Sequence, residues 1–389
     1  MVKELAYVLI TPYSLIKSRT GGIIGRLLSS ARLEFVGARM FMPGDVFVDR
    51  YEATIELQHI APSVRKALIN YLNECFRPKN RIGIVNRSLV LLFYGENAIS
   101  HISKIAGPMP DPKGDTIRGT YGDFIGYRAG ELRYFDPAVL TSADPQTNRL
   151  QLELFAEYAE KEGGIFEKIM PFPRGQKPET TLVIIKPDNF YQMSSRPGNI
   201  IDSFSRSGLY IVGAKLLHLT VRQAEEFYGP LRRLFVEKLK GGLRDKVRSR
   251  LADLGFTIED EIYDAITDLL KDINAKTEFN RIVQYMTGTS SDDAGRHLHQ
   301  KPGKSLALLY QGINAVEKIR ALLGSTDPRK ADEGTVRSDY GRDLMRNGAH
   351  ASDSVASAER ERKIVDLWNP ELHLDFQRLI KSYLRKGKI

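Results

Sequence analysis

The sequence contains two similar copies of one pattern, and this internal repeat constrains the fold more than any other feature. Three pairs of segments carry the repeat. They are "YVLITPYS" (7–14) with "LVIIKPDN" (182–189), "GGIIGRLLSSARLEFVGARM" (21–40) with "PGNIIDSFSRSGLYIVGAKL" (197–216), and "LVLLFYGENA" (89–98) with "LALLYQGINA" (306–315). The separation is about 176 residues for the first two pairs and about 218 for the third, so the second copy contains some 40 additional residues.

Each copy has the same order of predicted elements. A short apolar run, "VLITP" or "VIIKP", ends at a proline that stops the strand. A glycine-containing loop leads to a helix, and a strand, a polar helix and a strongly apolar strand follow. An amphipathic helix over 314–324 ends at Gly324 as its C-cap. The order βαββαβ predicts an α+β protein with two ferredoxin-like domains, the second with a helical insertion.

The repeat also predicts the domain boundaries. We expect a first domain over 1–156, a linker over 157–179 that contains Gly and Pro, and a second domain over 180–389. The additional residues of the second copy, about 230–277, are predicted to be mostly helical. Five residues of this segment share one helical face: Ile258, Ile262, Ala265, Ile266 and Leu269.

A second, smaller insertion over 289–304 is expected to be an exposed loop. It contains His297 and His299. Two histidines without a third ligand are weak evidence for a metal, so we predict no metal held by the protein alone.

Composition indicates a globular protein that favours acidic partners. The chain has 389 residues, of which 42% are hydrophobic and 27% charged, and its formal net charge is +9. Such a charge suits phosphorylated small molecules, nucleic acid or an acidic surface. We interpret the basic stretch over 230–251 as a solvated helix face, with nucleic-acid contact as the less favoured alternative.

The N-terminus and the cysteine content predict the compartment. The first residues lack the basic start, apolar run and cleavage site of a signal peptide, and no apolar run is long enough to span a bilayer. Cys75 is the single cysteine, which excludes an internal disulfide framework. We therefore expect a cytoplasmic protein with no membrane partner.

The stretch "RNGAHASDS" (346–354) leaves two roles open for His350. Its small neighbours leave the imidazole uncovered, and the Asp and Ser residues after it can cap a helix. A lone histidine is more often a surface residue than a nucleophile. The choice depends on whether the rest of the chain supplies a matching site.

Five ordered motifs of the second copy resemble those of nucleoside diphosphate kinases. They are "VIIKPD" (183–188), "EEFYGPL" (225–231), "IRALLGSTDP" (319–328), "GTVRSD" (334–339) and "RNGAHASDSVASAERE" (346–361). Taken singly, the charged and aromatic residues in them are also typical of solvated or packing positions. Their common order favours a functional set.

The resemblance implies transfer of a γ-phosphoryl group from a nucleoside triphosphate to a nucleoside diphosphate by a ping-pong mechanism, with His350 as nucleophile. By the same match, the catalytic residues are His350, Lys186, Glu361, Ser352 and Tyr228. The nucleotide-binding residues are Lys186, Ile282, Arg320, Thr326, Arg337 and Asn347. Mg²⁺ is expected to arrive on the nucleotide phosphates and not in a protein cage.

One position departs from the family pattern. The family stacks an aromatic residue on the base at the start of a segment that here reads "EFNRIVQYM" (278–286). The stacking position corresponds to Glu278, with Phe279 one residue along, while Ile282 matches the apolar base contact. The resemblance therefore implies complete phosphate machinery and a base that is recognised loosely.

The first copy lacks the reactive residues. Thr11 replaces the lysine, Ser103 the first arginine and Leu140 the histidine, whereas the second arginine is kept as Arg118. Leucine cannot accept a phosphoryl group, so we interpret this copy as a degenerate kinase fold. Because family members assemble through their sheets, we expect the fused copies to form an intramolecular pseudo-dimer, with a homo-oligomer as a further expectation.

Two other functions stay open from the sequence. A nucleotide-binding regulatory or scaffold protein with weak or no turnover is favoured by Glu278 and by the helical insertion, and opposed by the complete set around His350. A histidine phosphocarrier or nucleic-acid-associated regulator is suggested by the basic stretch over 230–251.

Overall fold

The structure is a computed structural model that describes residues 2–109, 114–128, 131–167, 169–289, 303–369 and 374–389. These residues form two compact units. The first contains the chain up to Leu216 together with Leu306–Ile389, and the second contains Leu217–Ser305. His297 and His299 of the smaller insertion lie outside the described residues.

The first half of the chain builds an antiparallel sheet. Its strands are β1 (Lys3–Ile10), β2 (Glu34–Phe41), β3 (Ser88–Glu96), β4 (Asp123–Arg128), β5 (Glu131–Asp136), β6 (Val139–Leu140) and β7 (Gly163–Gly164). The order β6-β1-β3-β2-β7 makes the sheet, and β4 and β5 form a separate hairpin. Its helices are α1 (Pro12–Ile16), α2 (Thr20–Ser30), α3 (Asp45–Glu56), α4 (Pro62–Tyr71), which a π-helical turn over Leu72–Phe76 extends, α5 (Ala98–Ala106), α6 (Ile117–Tyr121) and α7 (Pro145–Tyr158).

The second half repeats this arrangement. Its strands are β8 (Glu179–Ile185), β9 (Tyr210–His218), β10 (Lys304–Gly312) and β11 (Ala349–Ala351). Its helices are α8 (Arg196–Ser205), α9 (Val221–Leu251), α10 (Asp260–Thr287), α11 (Ala315–Leu323), α12 (Val336–Tyr340), α13 (Val355–Ile364) and α14 (Leu374–Lys386), with short 3₁₀ turns at Pro187–Phe190, Ala252–Leu254 and Pro328–Lys330. The strand order is β11-β8-β10-β9.

Both sheets have ferredoxin-like topology. In each half, the last strand of the repeat pairs with the first, and the third strand lies between the first and the second. The predicted α+β class is therefore confirmed. The apolar runs at the centre of each half are buried on both faces of their strands, because helices cover one face and further elements the other.

Proline ends the first strand of each copy, as the sequence predicts. After β1, Thr11 is the N-cap of α1, and its hydroxyl accepts a hydrogen bond from the amide of Ser14. Pro12 then occupies the first helical position, where a missing N–H has no cost. The same step after β8 leaves Lys186 as the N-cap of a 3₁₀ turn that begins at Pro187.

The two halves pack together through glycines on α2 and α8. A Cβ atom at Gly198 would lie 2.3 Å from the carbonyl oxygen of Gly21 and 2.3 Å from the amide nitrogen of Gly25. The two helices therefore meet backbone to backbone at this point. One hydrophobic cluster continues across the junction and includes Ile23 from α2 and Ile200 from α8.

The last helix of the chain packs on the first half. Phe376 and Ile380 of α14 belong to one hydrophobic cluster with Phe155 of α7. The side-chain amide of Gln377 donates a 2.8 Å hydrogen bond to the carbonyl of Ala156. The core of the first half is thus completed by residues that lie more than 200 positions further along the chain.

The helical insertion forms a pair of long helices. A capping box of Thr220 and Gln223 begins α9. Basic residues of α9 make ion pairs with acidic residues of α10: Lys240 with Asp268, Arg244 with Asp260 and Asp264, and Arg248 with Asp260. This pairing favours the interpretation of 230–251 as a solvated helix face over that of a nucleic-acid surface.

The buried face of α10 is offset from the predicted apolar face. Tyr263 and Thr267 are buried, whereas Leu269 is 78% exposed and Ile262 is also exposed. The reason is that Tyr263 packs against α9 in a small cluster of its own. Across the described ranges, no helix combines the length and the apolarity that crossing a membrane requires.

Replacing Gly198 with Ala should destabilise the protein, because the new methyl group would overlap the backbone of α2. Overpacking of this kind costs about 1–3 kcal/mol. Gly241→Ala is the matched control, since a Cβ at this helical glycine meets nothing within 4 Å, and there the change should stabilise by about 0.5–1 kcal/mol. Urea unfolding measures both. Equal effects of the two substitutions would contradict backbone contact at the junction.

Candidate active site

The end of β8 positions Lys186 beside the segment that precedes His350. The amide of Lys186 donates to the carbonyl of Gly348 at 3.2 Å. Its ammonium donates to Asn347 Oδ1 at 2.7 Å and to the carbonyl of Met345 at 2.9 Å. The residue is only 9% exposed, so these contacts fix where its charge lies.

Asn347 connects the lysine to the turn after α11. Its side-chain nitrogen donates to the carbonyls of Thr326 and Leu344, each at 3.1 Å, while its oxygen accepts from Lys186. Asn347 itself is buried. One amide thus holds two motifs that are far apart in the sequence.

Arg337 approaches the same turn from α12. Thr335 caps this helix, and Arg337 Nη1 donates to the carbonyl of Gly324 at 3.0 Å and to Thr326 Oγ1 at 3.4 Å. Arg320 lies in the last turn of α11 and is exposed, as is Thr326. Lys186, Asn347, Thr326 and Arg337 are therefore joined by an unbroken series of hydrogen bonds.

The pKa values show that the basic residues of this site repel one another. The pKa of Lys186 is lowered from 10.5 to about 7, chiefly by burial and secondly by the charge of Arg337, while Asp188 and Asp343 act in the opposite direction. Burial also lowers the pKa of Arg337 to about 10, with Arg320 as the second cause. A cluster of cations that costs free energy in the free protein is stabilised by an anion, so the site is suited to phosphate.

His350 lies on β11, where it pairs with Ile184 of β8. Its Nε2 is 2.8 Å from Glu361 Oε2, and the hydroxyl of Ser352 donates to the same oxygen at 2.7 Å. Ser352 and Glu361 are buried, while the imidazole is 20% exposed. A carboxylate that accepts the Nε2 proton fixes the tautomer in which Nδ1 carries the lone pair.

The helix α13 brings Glu361 to the histidine. Ser354 caps this helix by accepting from the amide of Ser357 at 3.0 Å. Eleven residues separate His350 from Glu361, and a turn followed by a short helix closes that distance. The helix start predicted after the histidine is confirmed.

Two contacts of this site have no signal in the sequence. Arg360 Nη2 lies 3.3 Å from Glu361 Oε1, so an arginine supports the carboxylate oxygen that does not face the histidine. Hydrogen bonds from Ser357, and more weakly the charge of Arg320, lower the pKa of Asp353. In the sequence, the charged residues of such a helix look alike. The side chains that contact the site therefore cannot be told apart from those that remain in solvent.

Tyr228 and Ile282 belong to the other compact unit, on α9 and α10. Tyr228 is buried and its ring lies 5.0 Å from that of Phe227. Phe279 is also buried, with the guanidinium of Arg232 4.5 Å from its ring centre. These aromatic residues therefore pack within their own unit.

Glu278, at the position where the family stacks an aromatic residue on the base, is half-buried. Its Oε1 accepts from Arg281 Nη1 at 2.6 Å. An ion pair thus occupies the position that would otherwise present an apolar ring. Phe279, the aromatic residue next to Glu278, is buried, and Ile282 is half-buried. Neither position therefore presents an exposed aromatic ring.

The first half has core residues at the positions that correspond to His350 and Glu361. Leu140 on β6 is buried in a hydrophobic cluster. Eleven positions later, Gln151 accepts from the hydroxyl of Tyr7 at 2.7 Å and donates to Thr54 Oγ1 at 2.8 Å. Leu140 and Gln151 are thus eleven positions apart, the same separation as that of His350 and Glu361.

The arginine that the first half retains supports the backbone. Arg118 is buried, and its guanidinium donates to the carbonyls of Gly107 and Val139. Thr11 donates to Asp136 Oδ1 at 3.2 Å and is also buried, while Ser103 lies on α5. These contacts give Arg118 a structural role in the first half, where the lysine and the histidine of the second half have no counterpart.

The site combines a cluster of cations with an imidazole that is hydrogen-bonded to a carboxylate. A site of this class can bind phosphate groups and can present a nitrogen nucleophile to them. A family model described as nucleoside diphosphate kinase matches residues 179–240 and 237–366. The C-terminal half of the chain is therefore similar to the nucleoside diphosphate kinase family.

Solved structures with this name resemble about half of the chain. A nucleoside diphosphate kinase from Encephalitozoon cuniculi is 26% identical over 48% of this chain and 87% of its own, with a TM-score of 0.30. An NDP kinase from Pyrobaculum aerophilum is 28% identical over 48% of this chain and 95% of its own, with a TM-score of 0.35. The enzyme from Aquifex aeolicus is 24% identical over 49% and 95%, with a TM-score of 0.31.

The low pKa of Lys186 predicts how stability depends on pH. Between about pH 7 and 10.5 the unfolded chain holds a proton on Lys186 that the folded chain has released. Stability therefore rises with pH across this window, by up to about 1.4 kcal/mol per unit for one proton. Lys186→Met removes this contribution.

The measurement is urea unfolding at several pH values from 7 to 10, for the wild type and Lys186→Met. The difference between the two should change with pH in the direction given. Lys330→Met, at an exposed lysine of the same half, is the control. A difference that stays constant over the whole window would contradict the lowered pKa.

Proposed function

We propose that the C-terminal half is a nucleoside diphosphate kinase that acts through a phosphohistidine at His350. The main observation in support is the hydrogen bond between His350 Nε2 and Glu361 Oε2, together with the hydrogen bond from Ser352 to the same oxygen. This arrangement supports an imidazole nucleophile of fixed tautomer. The neighbouring cations support the binding of a nucleoside triphosphate.

In the first half-reaction, Nδ1 of His350 attacks the γ-phosphorus of the triphosphate. A P–N bond forms, the bond from that phosphorus to the bridging oxygen breaks, and the nucleoside diphosphate leaves with the electron pair. The imidazole becomes cationic, and Glu361 stabilises it through the Nε2 proton. Transfer to a second nucleoside diphosphate is the same reaction in reverse.

The basic residues hold the phosphates during both steps. Arg320 and Arg337 supply planar donors, Thr326 a hydroxyl, and Lys186 a point charge at the end of β8. Charge spreads onto the oxygens of the transferring group, so positioned cations lower the barrier. By family match, Asn347 also contacts the ribose, in addition to holding Lys186 in place.

We propose that Mg²⁺ enters with the nucleotide as part of the substrate. Within the described ranges, no three His, Cys, Asp or Glu side chains converge as a metal cage would require. The carboxylates of Glu361 and Asp353 are engaged by Ser352 and Ser354. The chain's own part is to bind the phosphates that carry the ion.

Two matched residues remain, Tyr228 and Ile282. By the family match, we propose that Tyr228 is a catalytic residue and that Ile282 is the apolar contact of the base. Since Glu278 is paired with Arg281 and offers no ring for stacking, the base contributes little to affinity. Purine and pyrimidine nucleotides should then be accepted with similar efficiency.

We further propose that residues 1–156 are a silent copy, joined through 157–179 to the active domain over 180–389. The junction of α2 and α8 and the docking of α14 on the first half support an intramolecular pseudo-dimer. The silent copy then acts as a permanent packing partner.

One observation favours a second candidate, a nucleotide-binding regulatory protein with weak turnover. The pairing of Glu278 with Arg281 leaves the base position without a ring, which weakens nucleotide capture. Steady-state transfer separates the two candidates. A stable phosphoenzyme that does not pass its phosphate to a nucleoside diphosphate would support the regulator.

His350→Gln should abolish labelling by γ-labelled ATP, because glutamine offers no ring nitrogen. The wild type should carry an acid-labile, alkali-stable label that GDP removes. His101→Gln is the matched control, at an exposed histidine on α5 of the silent copy, and it should label fully. Residual label on full-length His350→Gln would place a second acceptor elsewhere and contradict both the site and the silence of the first copy.

Arg320→Ala should slow transfer by roughly ten- to a hundredfold, the usual loss for one hydrogen bond to a charged group. The side chain of Arg320 makes no hydrogen bond or ion pair with another described residue, so the fold should be unchanged. Arg329→Ala removes an arginine nearby in the sequence that is paired with Asp327, and should leave kcat/KM close to that of the wild type. Equal kinetics of the two variants would argue against the phosphate role.

A further inference from the structure

The apolar face that the sequence predicts for α10 remains largely exposed, and it continues to Ile273. The side chains of Ile262, Leu269 and Ile273 are 49%, 78% and 65% exposed. Ile266, which lies between them along the helix, is only partly buried at the edge of a small cluster. The contact with α9 uses a different face of α10, through Tyr263. A continuous apolar stripe on the surface of a protein indicates an interaction site.

We call Ile262, Ile266, Leu269 and Ile273 the α10 stripe. These residues follow one another at separations of four, three and four positions. This is the spacing of the a and d positions of a coiled coil, in which two helices pack along a common seam. With a rise of about 1.5 Å per residue, the α10 stripe is about 16 Å long. Its spacing and length therefore match the side of a second helix.

Opposite charges lie just beyond the two ends of the α10 stripe. Glu259, the N-cap of α10, precedes the stripe by three residues, and Lys276 follows it by three. Both positions continue the a and d spacing. Both side chains are exposed, and in the described part of the chain neither forms an ion pair or a side-chain hydrogen bond. Each end therefore presents a charge that is available to a partner.

We propose that the α10 stripe binds the α10 stripe of a second copy of this chain, with the two helices antiparallel and related by a two-fold axis. Ile262 then packs against Ile273 of the second copy. Ile266 packs against Leu269 of the second copy. Each contact occurs twice, as an interface with two-fold symmetry requires.

The charges at the two ends select a second copy as the occupant and fix its direction. In the antiparallel arrangement, Glu259 faces Lys276 of the second copy at both ends of the interface, so opposite charges meet. A parallel arrangement would place Glu259 against Glu259 and Lys276 against Lys276, and like charges would repel. The α10 stripe with its two flanking charges is thus complementary to its own reversed copy.

Two further features favour this association. Asp268 lies near the middle of the helix, close to the two-fold axis, and its charge is balanced by Lys240 at 2.7 Å and by Lys271 at 3.3 Å. The ion pairs with α9 already hold α10 as a helix, so little backbone ordering opposes binding. The proposal depends neither on the phosphoryl transfer proposed above nor on assembly through the sheets.

Sedimentation equilibrium of the full chain tests which surface associates. The wild type should dimerise as its concentration rises. Leu269→Glu should weaken the dimer by about a hundredfold or more, because the two-fold axis brings two carboxylates into the apolar centre. Leu57→Glu, at an exposed leucine directly after α3, is the matched control and should dimerise like the wild type. A wild type that stays monomeric, a dimer that Leu269→Glu leaves intact, or equal effects of the two substitutions would overturn the proposal.

Exchange of the two end charges tests the direction. Glu259→Lys and Lys276→Glu should each weaken the dimer by roughly three- to thirtyfold, because each places like charges together at both ends. The double variant Glu259→Lys/Lys276→Glu should return the affinity close to that of the wild type. A double variant that is as weak as either single variant would contradict the antiparallel register.

Disulfide cross-linking provides a second measure of the register. A mixture of Ile262→Cys and Ile273→Cys proteins should cross-link under mild oxidation, since the two positions face each other. Neither protein should cross-link alone, because its two cysteines would lie about 16 Å apart along the helix axis. The native Cys75 is buried, and the wild type is the control for its reactivity. Cross-linking of Ile262→Cys alone, or none in the mixture, would overturn the antiparallel pairing.

Discussion

The hydrogen bond between Glu361 and His350 is the interaction on which the proposed chemistry depends. A free imidazole exchanges its proton between two nitrogens, and a nucleophile needs one of them to be permanently a base. Glu361 Oε2 accepts from Nε2, and Ser352 and Arg360 in turn engage the carboxylate. Because Glu361 is buried, these contacts hold the carboxylate in one orientation and leave the lone pair on Nδ1.

The surroundings of this pair follow from the ferredoxin-like sheet. The strand β11 pairs with β8, and β8 ends directly before Lys186, so the lysine and the histidine are brought to the same edge. Asn347 then joins that edge to the turn that carries Thr326. The same strand order in the first half pairs Leu140 with Leu9, and the amide of Thr11 donates to the carbonyl of Ala138. One topology therefore underlies the proposed active site in one copy and a closed core in the other.

Much of this could be predicted from the sequence. The repeat and the apolar strands indicated the βαββαβ order, because strand burial dominates the pattern of residues. The prolines after β1 and β8 indicated where the strands end. The buried face of α10 could not be predicted, since the choice between Ile262 and Tyr263 depends on how α9 packs against it. The docking of α14 on the first half has no local signal either, because it is a contact between elements far apart in the chain.

The site shows the same division. Motif order identified Lys186, Arg337, His350 and Glu361 as candidates, and the structure joins the first pair through Asn347 and Thr326 and the second pair directly. The ion pair of Arg360 with the buried Glu361 depends on how α13 packs, which a run of charged residues does not reveal. It emerges only when the partners of the buried carboxylate are identified.

The proposed mechanism places the phosphate on one particular nitrogen of one histidine, Nδ1 of His350. The most direct measurement is ³¹P–¹⁵N NMR of the full chain labelled with ¹⁵N-histidine and phosphorylated by ATP. Since Glu361 engages Nε2, phosphorus should couple to Nδ1 of His350. Coupling to Nε2, or a phosphorus signal that persists unchanged in His350→Gln, would contradict it.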